Sequence, residues 1–175
     1  MNTKKVLLAL SVAIVLIAVS VYYAVWVGQA AQDFQARVEL PAFSFTQING
    51  RPFTRDSLAP AQPVVIMLFD PDCEHCQEEL AWMQTTMPAF SSTHFLLVTP
   101  ADRTVVIPFV RNKGLDVWPH ARVLFTEPDD FLQAFGTLKM PSLYCYDRHH
   151  RLKKELHGRA KEDKLLEALK SIGVE

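Results

Sequence analysis

The stretch Pro63-Val64-Val65-Ile66-Met67-Leu68-Phe69-Asp70-Pro71-Asp72-Cys73-Glu74-His75-Cys76-Gln77-Glu78-Glu79-Leu80 decides the fold. Its first half, Val64 to Phe69, is apolar without alternation and β-branched at its start. Such a run reads as a central strand buried on both faces, as parallel sheets require. Asp70-Pro71-Asp72 breaks the strand and opens a helix. Either Asp can cap it, and Pro suits a first helical turn. Cys76, Leu80, Met83 and Met87 then recur at one helical face, and Pro88 marks the end.

Cys73-Glu74-His75-Cys76 carries the chemistry. Residues three apart on the first turn of a helix face the same side. The two sulfurs can close a small ring, or stand as one exposed and one shielded thiol. The helix N-terminus offers unpaired N–H groups and partial positive charge, which favour a thiolate, the attacking species in thiol exchange. A Cys-x-x-Cys between a buried strand and a helix is a redox arrangement. His75, if protonated, adds to that preference. Asp70, Asp72, Glu74, Glu78 and Glu79 oppose it. Five carboxylates against one imidazole point to a reducing couple, hence a reductant or shuttle.

Outward from this stretch, strands and helices alternate. Phe43 to Thr46 and Arg51 to Thr54 form a hairpin about Asn49-Gly50, with Phe43, Phe45 and Phe53 as its packing residues. His94 to Thr99, Ala121 to Phe125 and Ser142 to Tyr146 read as strands. Asp102 to Lys113 reads as a helix containing Pro108 and stopped by Gly114, and Pro128 to Phe135 as a short helix ended by Gly136. Asp147 to His150 turns, Arg151 to His157 returns as an edge-like strand, and Lys161 to Ile172 is a final helix with Leu165, Leu166 and Leu169 inward. The alternation predicts an α/β sheet. Cys145 shares the parity of Leu143 and reads as a small core residue. His149 and His150 read as solvated turn residues, His94 and His120 as ordinary ones, and Trp82 and Trp118 as packing residues or the wall of a groove.

The chain has 175 residues, 18 Lys and Arg against 19 Asp and Glu, and 49% apolar residues. Near-neutral charge excludes a dedicated nucleic-acid binder, and the apolar content excludes an acidic disordered chain. Three cysteines cannot make a disulfide-dense scaffold. Residues 6–27 carry no charge and match the roughly 20 residues that cross a bilayer. Tyr22, Tyr23 and Trp26 sit at the far end, and Lys4 and Lys5 precede the run. The expected organisation is a cytoplasmic N-terminus (1–5), a transmembrane anchor (6–27), a linker (28–41) and an extracytoplasmic domain (42–175). A cleaved signal peptide is the competing reading, with Gly28-Gln29-Ala30 near the cut, although its apolar core would be unusually long.

Residues 42–172 resemble the TlpA/ResA type of membrane-tethered, thioredoxin-like thiol-disulfide oxidoreductases, within the redoxin group. The resemblance rests on the hairpin FSFTQINGRPF, the strand-motif-helix PVVIMLFDPDCEHCQEEL and the segment FGTLKMPSLYCYD. It implies a thioredoxin-like fold with an N-terminal β-hairpin extension. It also implies a cis Met140-Pro141 bond beside Cys73, with Met140 and Pro141 walling the substrate groove. Cys73 would be the nucleophile and Cys76 the resolving thiol, paired as a redox-active disulfide with no further cofactor. His75 and Glu74 would tune them. Partners would be disulfide-bonded or thiol proteins and a membrane thiol donor, at the cytoplasmic membrane facing the periplasm. The motif departs from the Trp-Cys-x-Pro-Cys usual in that family. The strand position that often holds a carboxylate in thioredoxins is Met67, and the usual Asp-Gly turn is Asp147-Arg148-His149-His150.

Three other readings compete. A Sco-like copper-binding module shares the tether and fold, but uses Cys-x-x-x-Cys and would need His149 or His150 as a ligand. A thiol peroxidase places Thr or Ser where Asp70 stands, and a carboxylate cannot donate the orienting hydrogen bond. A non-catalytic assembly factor would use the fold as a surface alone. Structural zinc needs four ligands, which one Cys-x-x-Cys does not supply, so no metal is expected.

Overall fold

The computed structural model describes residues 13–26, 38–86 and 92–173. The chain divides into two units after Arg37. In the first, residues 13–26 are helical and exposed. Among the described residues no helix is long and apolar enough to cross a membrane. The expected span extends further, and its residues 6–12 and 27 lie outside the described ones. So do the expected cytoplasmic segment 1–5, linker residues 28–37, and Met87 and Pro88.

In the second unit, β1 (Ser44–Gln47) and β2 (Pro52–Thr54) form the hairpin and a short 3-10 turn (Arg55–Ser57) follows. Next come β3 (Val64–Leu68), α1 (Glu74–Thr86), β4 (His94–Thr99), α2 (Arg103–Asn112), β5 (Ala121–Phe125), α3 (Pro128–Phe135), β6 (Ser142–Tyr146), β7 (Leu152–His157) and α4 (Glu162–Lys170). One seven-stranded sheet runs in the order β2-β1-β5-β4-β3-β6-β7. Gly50 makes the hairpin turn at φ +82°, a conformation open to glycine.

The sheet is mixed, which corrects the expectation of parallel neighbours around β3. β3 pairs parallel with β4 but antiparallel with β6. Its continuous apolar run is still explained, because both faces are covered. Val65 and Met67 enter a cluster with Leu80 and Met83 of α1, Val106 and Val110 of α2, and Leu165 and Leu169 of α4. Val64, Ile66 and Leu68 enter the opposite cluster with Phe45 and Phe53 of the hairpin and Phe131 of α3. The period-2 strand thus distributes one run between two cores. Each such side chain contributes about 1.5–3 kcal/mol on burial.

On α4, Leu165 and Leu169 are buried as expected, but Ala168 is the third inward residue and Leu166 is half-buried. On α2, the Asp102 carboxylate caps the helix by accepting the Thr104 N–H at 2.7 Å. β7 alternates half-buried and exposed residues, and its Lys153, Lys154 and Glu155 guard the free edge.

Candidate active site

The turn after β3 sets the cysteines in place. The Asp70 carbonyl accepts the Cys73 N–H at 3.1 Å, and its carboxylate accepts the Asp72 N–H at 2.8 Å. Neither aspartate caps α1, contrary to the sequence expectation. Cys73 does. Its carbonyl accepts the Gln77 N–H at 3.1 Å, and its Sγ accepts the Cys76 N–H at 3.3 Å. The N-cap role usual for an oxygen is held by a sulfur, because Asp70 is spent on the turn. Pro71 is buried ahead of the helix rather than inside its first turn, and its carbonyl receives Gln77 Nε2.

Cys73 is half-buried and Cys76 fully buried, both as free thiols. Burial, first, and then the hydrogen bond and charge of Cys73 push the Cys76 thiol far above its ordinary value, with the charge of Glu79 adding to the shift. The pair is therefore asymmetric, one sulfur reachable and one shielded.

The sequence expectation made Glu74 and His75 the tuning residues. Among the described residues, neither hydrogen-bonds to a sulfur. His75 Nδ1 lies 3.4 Å from Glu78 Oε2, and Arg159 reaches the same oxygen at 3.4 Å. Glu74 is exposed. The carboxylate that matters at Cys76 is Glu79, only 4% exposed. Its Oε1 accepts the Ala160 N–H at 2.8 Å. Burial is the main cause that raises its carboxyl above the ordinary range, against the lowering effect of that hydrogen bond. Sequence reasoning counted Glu79 as one of five carboxylates opposing the thiolate, without setting it apart from the rest. The helical stripe through Cys76, Leu80 and Met83 was the signal that could have found it, since Glu79 lies on that same face.

A second arm of the site comes from the loop before β6. The Met140-Pro141 peptide bond is cis, as expected. Pro141 is buried and Met140 half-buried. Ser142 pairs with Leu68, so this loop lies at the end of β3 from which the cysteines follow. The Gly158 N–H donates to the Pro141 carbonyl at 2.7 Å. Residues 158–160 therefore tie the cis-proline loop, through Gly158, to α1, through Ala160 and Glu79. A cavity of about 700 Å³ opens here, lined by Glu78, Glu79, Trp82, Arg159, Lys161 and Leu165 among others. Trp82 thus walls a groove. Trp118 stacks on Phe95 at 5.7 Å.

Cys145 is buried in the same core cluster as Cys76, and burial pushes its thiol up to about 12. His149 and His150 sit in the β6–β7 turn. Tyr146, just before that turn, pairs with Val64, so the turn lies at the end of β3 remote from Cys73. This separates the cysteines from the histidines that a copper reading requires. Among the described residues, no group of three or more His, Cys, Asp or Glu is arranged to hold a metal ion. His150 is also half-buried rather than solvated.

No protein-family model and no curated protein matches the chain. Solved structures do. The dsbF protein of MTB aligns at TM-score 0.65 and 21% identity, covering 78% of this chain and 97% of its own. A thiol:disulfide interchange protein of the thioredoxin family from Chlorobium tepidum TLS aligns at 0.64 and 18%, covering 78% and 97%. A thio-disulfide isomerase from Thermus thermophilus aligns at 0.61 and 22%, covering 79% and 96%. The fold is thioredoxin-like. In this thioredoxin-like domain, the sulfurs, the buried carboxylate and the cis-proline loop all gather at one end of the sheet.

Proposed function

We propose that the chain is a thiol-disulfide oxidoreductase acting on protein disulfides. The observation that carries this reading is the asymmetric pair, with half-buried Cys73 capping α1 and buried Cys76 one turn inside it. The Cys73 thiolate attacks one sulfur of a partner disulfide. That bond breaks, the other partner sulfur leaves as a thiolate, and a mixed disulfide remains. Cys76 then gives up its proton and attacks Cys73 Sγ. The second partner sulfur departs with its electron pair, and Cys73–Cys76 is left oxidised. Two electrons have passed to the partner, and a thiol donor must return them. N–H donors at the helix start suit negative charge on the attacking sulfur. Glu79, beside Cys76, is suited to accept its proton.

The TlpA/ResA type of organisation completes the proposal. Residues 6–27 anchor the chain in the cytoplasmic membrane, residues 28–37 tether the domain, which takes in the last part of the expected linker through Glu39 and Leu40, and the domain faces the periplasm. The uncharged run and the lysines before it support this. Met140 and Pro141 line the partner groove, and the acidic surroundings of the motif support a reductant or shuttle.

A trapping experiment tests the function. Cys76→Ser should accumulate a mixed disulfide through Cys73, and Cys73→Ser should accumulate none. Failure of the folded protein to exchange with oxidised or reduced glutathione would overturn the proposal.

A further inference from the structure

The end of the sheet remote from the cysteines gathers cations that thiol exchange does not use. The β6–β7 turn reads Arg148-His149-His150-Arg151. Across from it, Arg55 donates to the Leu40 carbonyl at 3.2 Å. A cleft of about 400 Å³ opens here, lined by Glu39, Leu40, Arg55, His149, His150 and Arg151.

The walls of this cleft are held by the backbone. Asp147 Oδ1 accepts the N–H groups of His149 at 2.8 Å and Arg151 at 3.0 Å. The Leu40 N–H donates to the His150 carbonyl at 2.8 Å, and Glu39 bridges to Arg151 as an isolated β-pair. His150 occupies the left-handed region at φ +57°, an uncommon place for a side chain of its size. Its Nε2 is buried and, among the described residues, has no hydrogen-bond partner. A buried polar atom left unpaired is costly, so a ligand that paired it would recover that cost. Among the described residues, the Arg151 guanidinium makes no ion pair, and Arg55 makes only its bond to Leu40. Arg122 and His120 stand close enough, with His150, for their charges to act on His94. The positive field therefore extends beyond the cleft. Among the described residues, Glu39 is the only carboxylate in the lining.

We propose that this cleft binds a phosphate-class anion, with Arg55 and Arg151 supplying charge and forked donors and His150 Nε2–H the buried hydrogen bond. Guanidinium groups match the geometry of phosphate oxygens, and imidazole supplies a directed donor. The site is independent of the thiol chemistry at the other end of the sheet. A free phosphate and an anionic lipid headgroup share this chemistry.

The test uses the full chain in zwitterionic micelles, with the His150 ring signals followed by NMR. Inorganic phosphate is titrated against chloride at matched ionic strength. In parallel, vesicles of phosphatidylcholine alone are compared with vesicles containing phosphatidylglycerol. A saturable shift of His150 with phosphate and not chloride supports the site with a free anion as its ligand. A shift only with phosphatidylglycerol supports it with a headgroup as ligand. Arg151→Gln should weaken binding by about tenfold, the scale of one charge-assisted hydrogen bond. Glu39→Gln should tighten it by about threefold, since removing a nearby like charge is worth a fraction of that. This opposite sign cannot arise from misfolding. A His150 response equal for chloride and phosphate, or absent in every arm, overturns the proposal.

Discussion

Glu79 Oε1 accepts the backbone N–H of Ala160 at 2.8 Å, joining positions 81 residues apart. The bond fixes a buried carboxylate one turn beyond Cys76, on the side of α1 that faces the core. It also ties α1 to residues 158–160, whose Gly158 N–H holds the Pro141 carbonyl. The acid one turn beyond Cys76 and the cis-proline loop are thus both tied to residues 158–160.

Glu79→Gln should slow resolution of the mixed disulfide and leave the first attack nearly unchanged. Gln can still accept from Ala160, but it cannot take the proton from Cys76, whose thiol burial has pushed far up. A lost general base costs about 100-fold or more. Stopped-flow exchange with a small disulfide separates the two steps. The wild-type resolution rate should rise with pH through the raised Glu79 titration, and the variant should lose that limb. Equal slowing of both steps would sink the base role.

The same carboxyl sets a stability trend. Its value in the folded protein lies above its ordinary 4.5. The folded state therefore favours the protonated acid. The contribution to stability is complete below the ordinary value and is lost as pH rises through the raised one. Glu79→Gln, which never ionises, should gain in melting temperature relative to wild type as pH rises from acid to neutral. Parallel melting curves across that window would contradict the assignment.

Much of this architecture was legible in the sequence because local chemistry decided it. Asn49-Gly50, Gly114 and Gly136 mark turns that require positive φ, and the uninterrupted Val64 to Leu68 run marks a strand covered on both faces. Strands β4, β5 and β6 and helix α3 begin and end where the pattern places them. The antiparallel pairing of β3 with β6 was not legible, since an apolar run reads alike in either direction. At the site, the two cysteines and the cis proline were visible. The sulfur cap was not, because choosing among Asp70, Asp72 and Cys73 depends on which residue the turn consumes. Glu79 was hidden among exposed acids because composition counts charge without counting burial.

His94 gives the fold an acid limit. Burial, followed by the charges of Arg122, His120 and His150, holds its imidazole below the ordinary 6.5. A lowered histidine favours the neutral form in the folded state. Its contribution is complete above 6.5 and is lost as pH falls through the lowered value. His94 Nε2 accepts the Ala59 N–H at 3.4 Å, a bond that only the neutral ring can make. Between about pH 7 and pH 5, wild type should lose denaturant resistance more steeply than His94→Gln. Coincident profiles would remove His94 from the acid transition.

Cys145 separates structural from redox cysteine. It stands opposite Val65 in the sheet, is fully buried, and has its thiol pushed up to about 12. A thiol held protonated in apolar surroundings is a poor nucleophile. Cys145→Ala should therefore cost about 1 kcal/mol of stability, as small core truncations do. It should leave glutathione exchange unchanged. Cys145→Ser should cost more, because a buried hydroxyl without a partner adds about 1–3 kcal/mol. Denaturant unfolding gives the order wild type, Ala, Ser, and iodoacetamide labelling of the native protein should mark Cys73 alone. If Cys145→Ala instead abolished exchange while the protein stayed folded, electrons would have to pass through a third sulfur, and the two-cysteine cycle would be wrong.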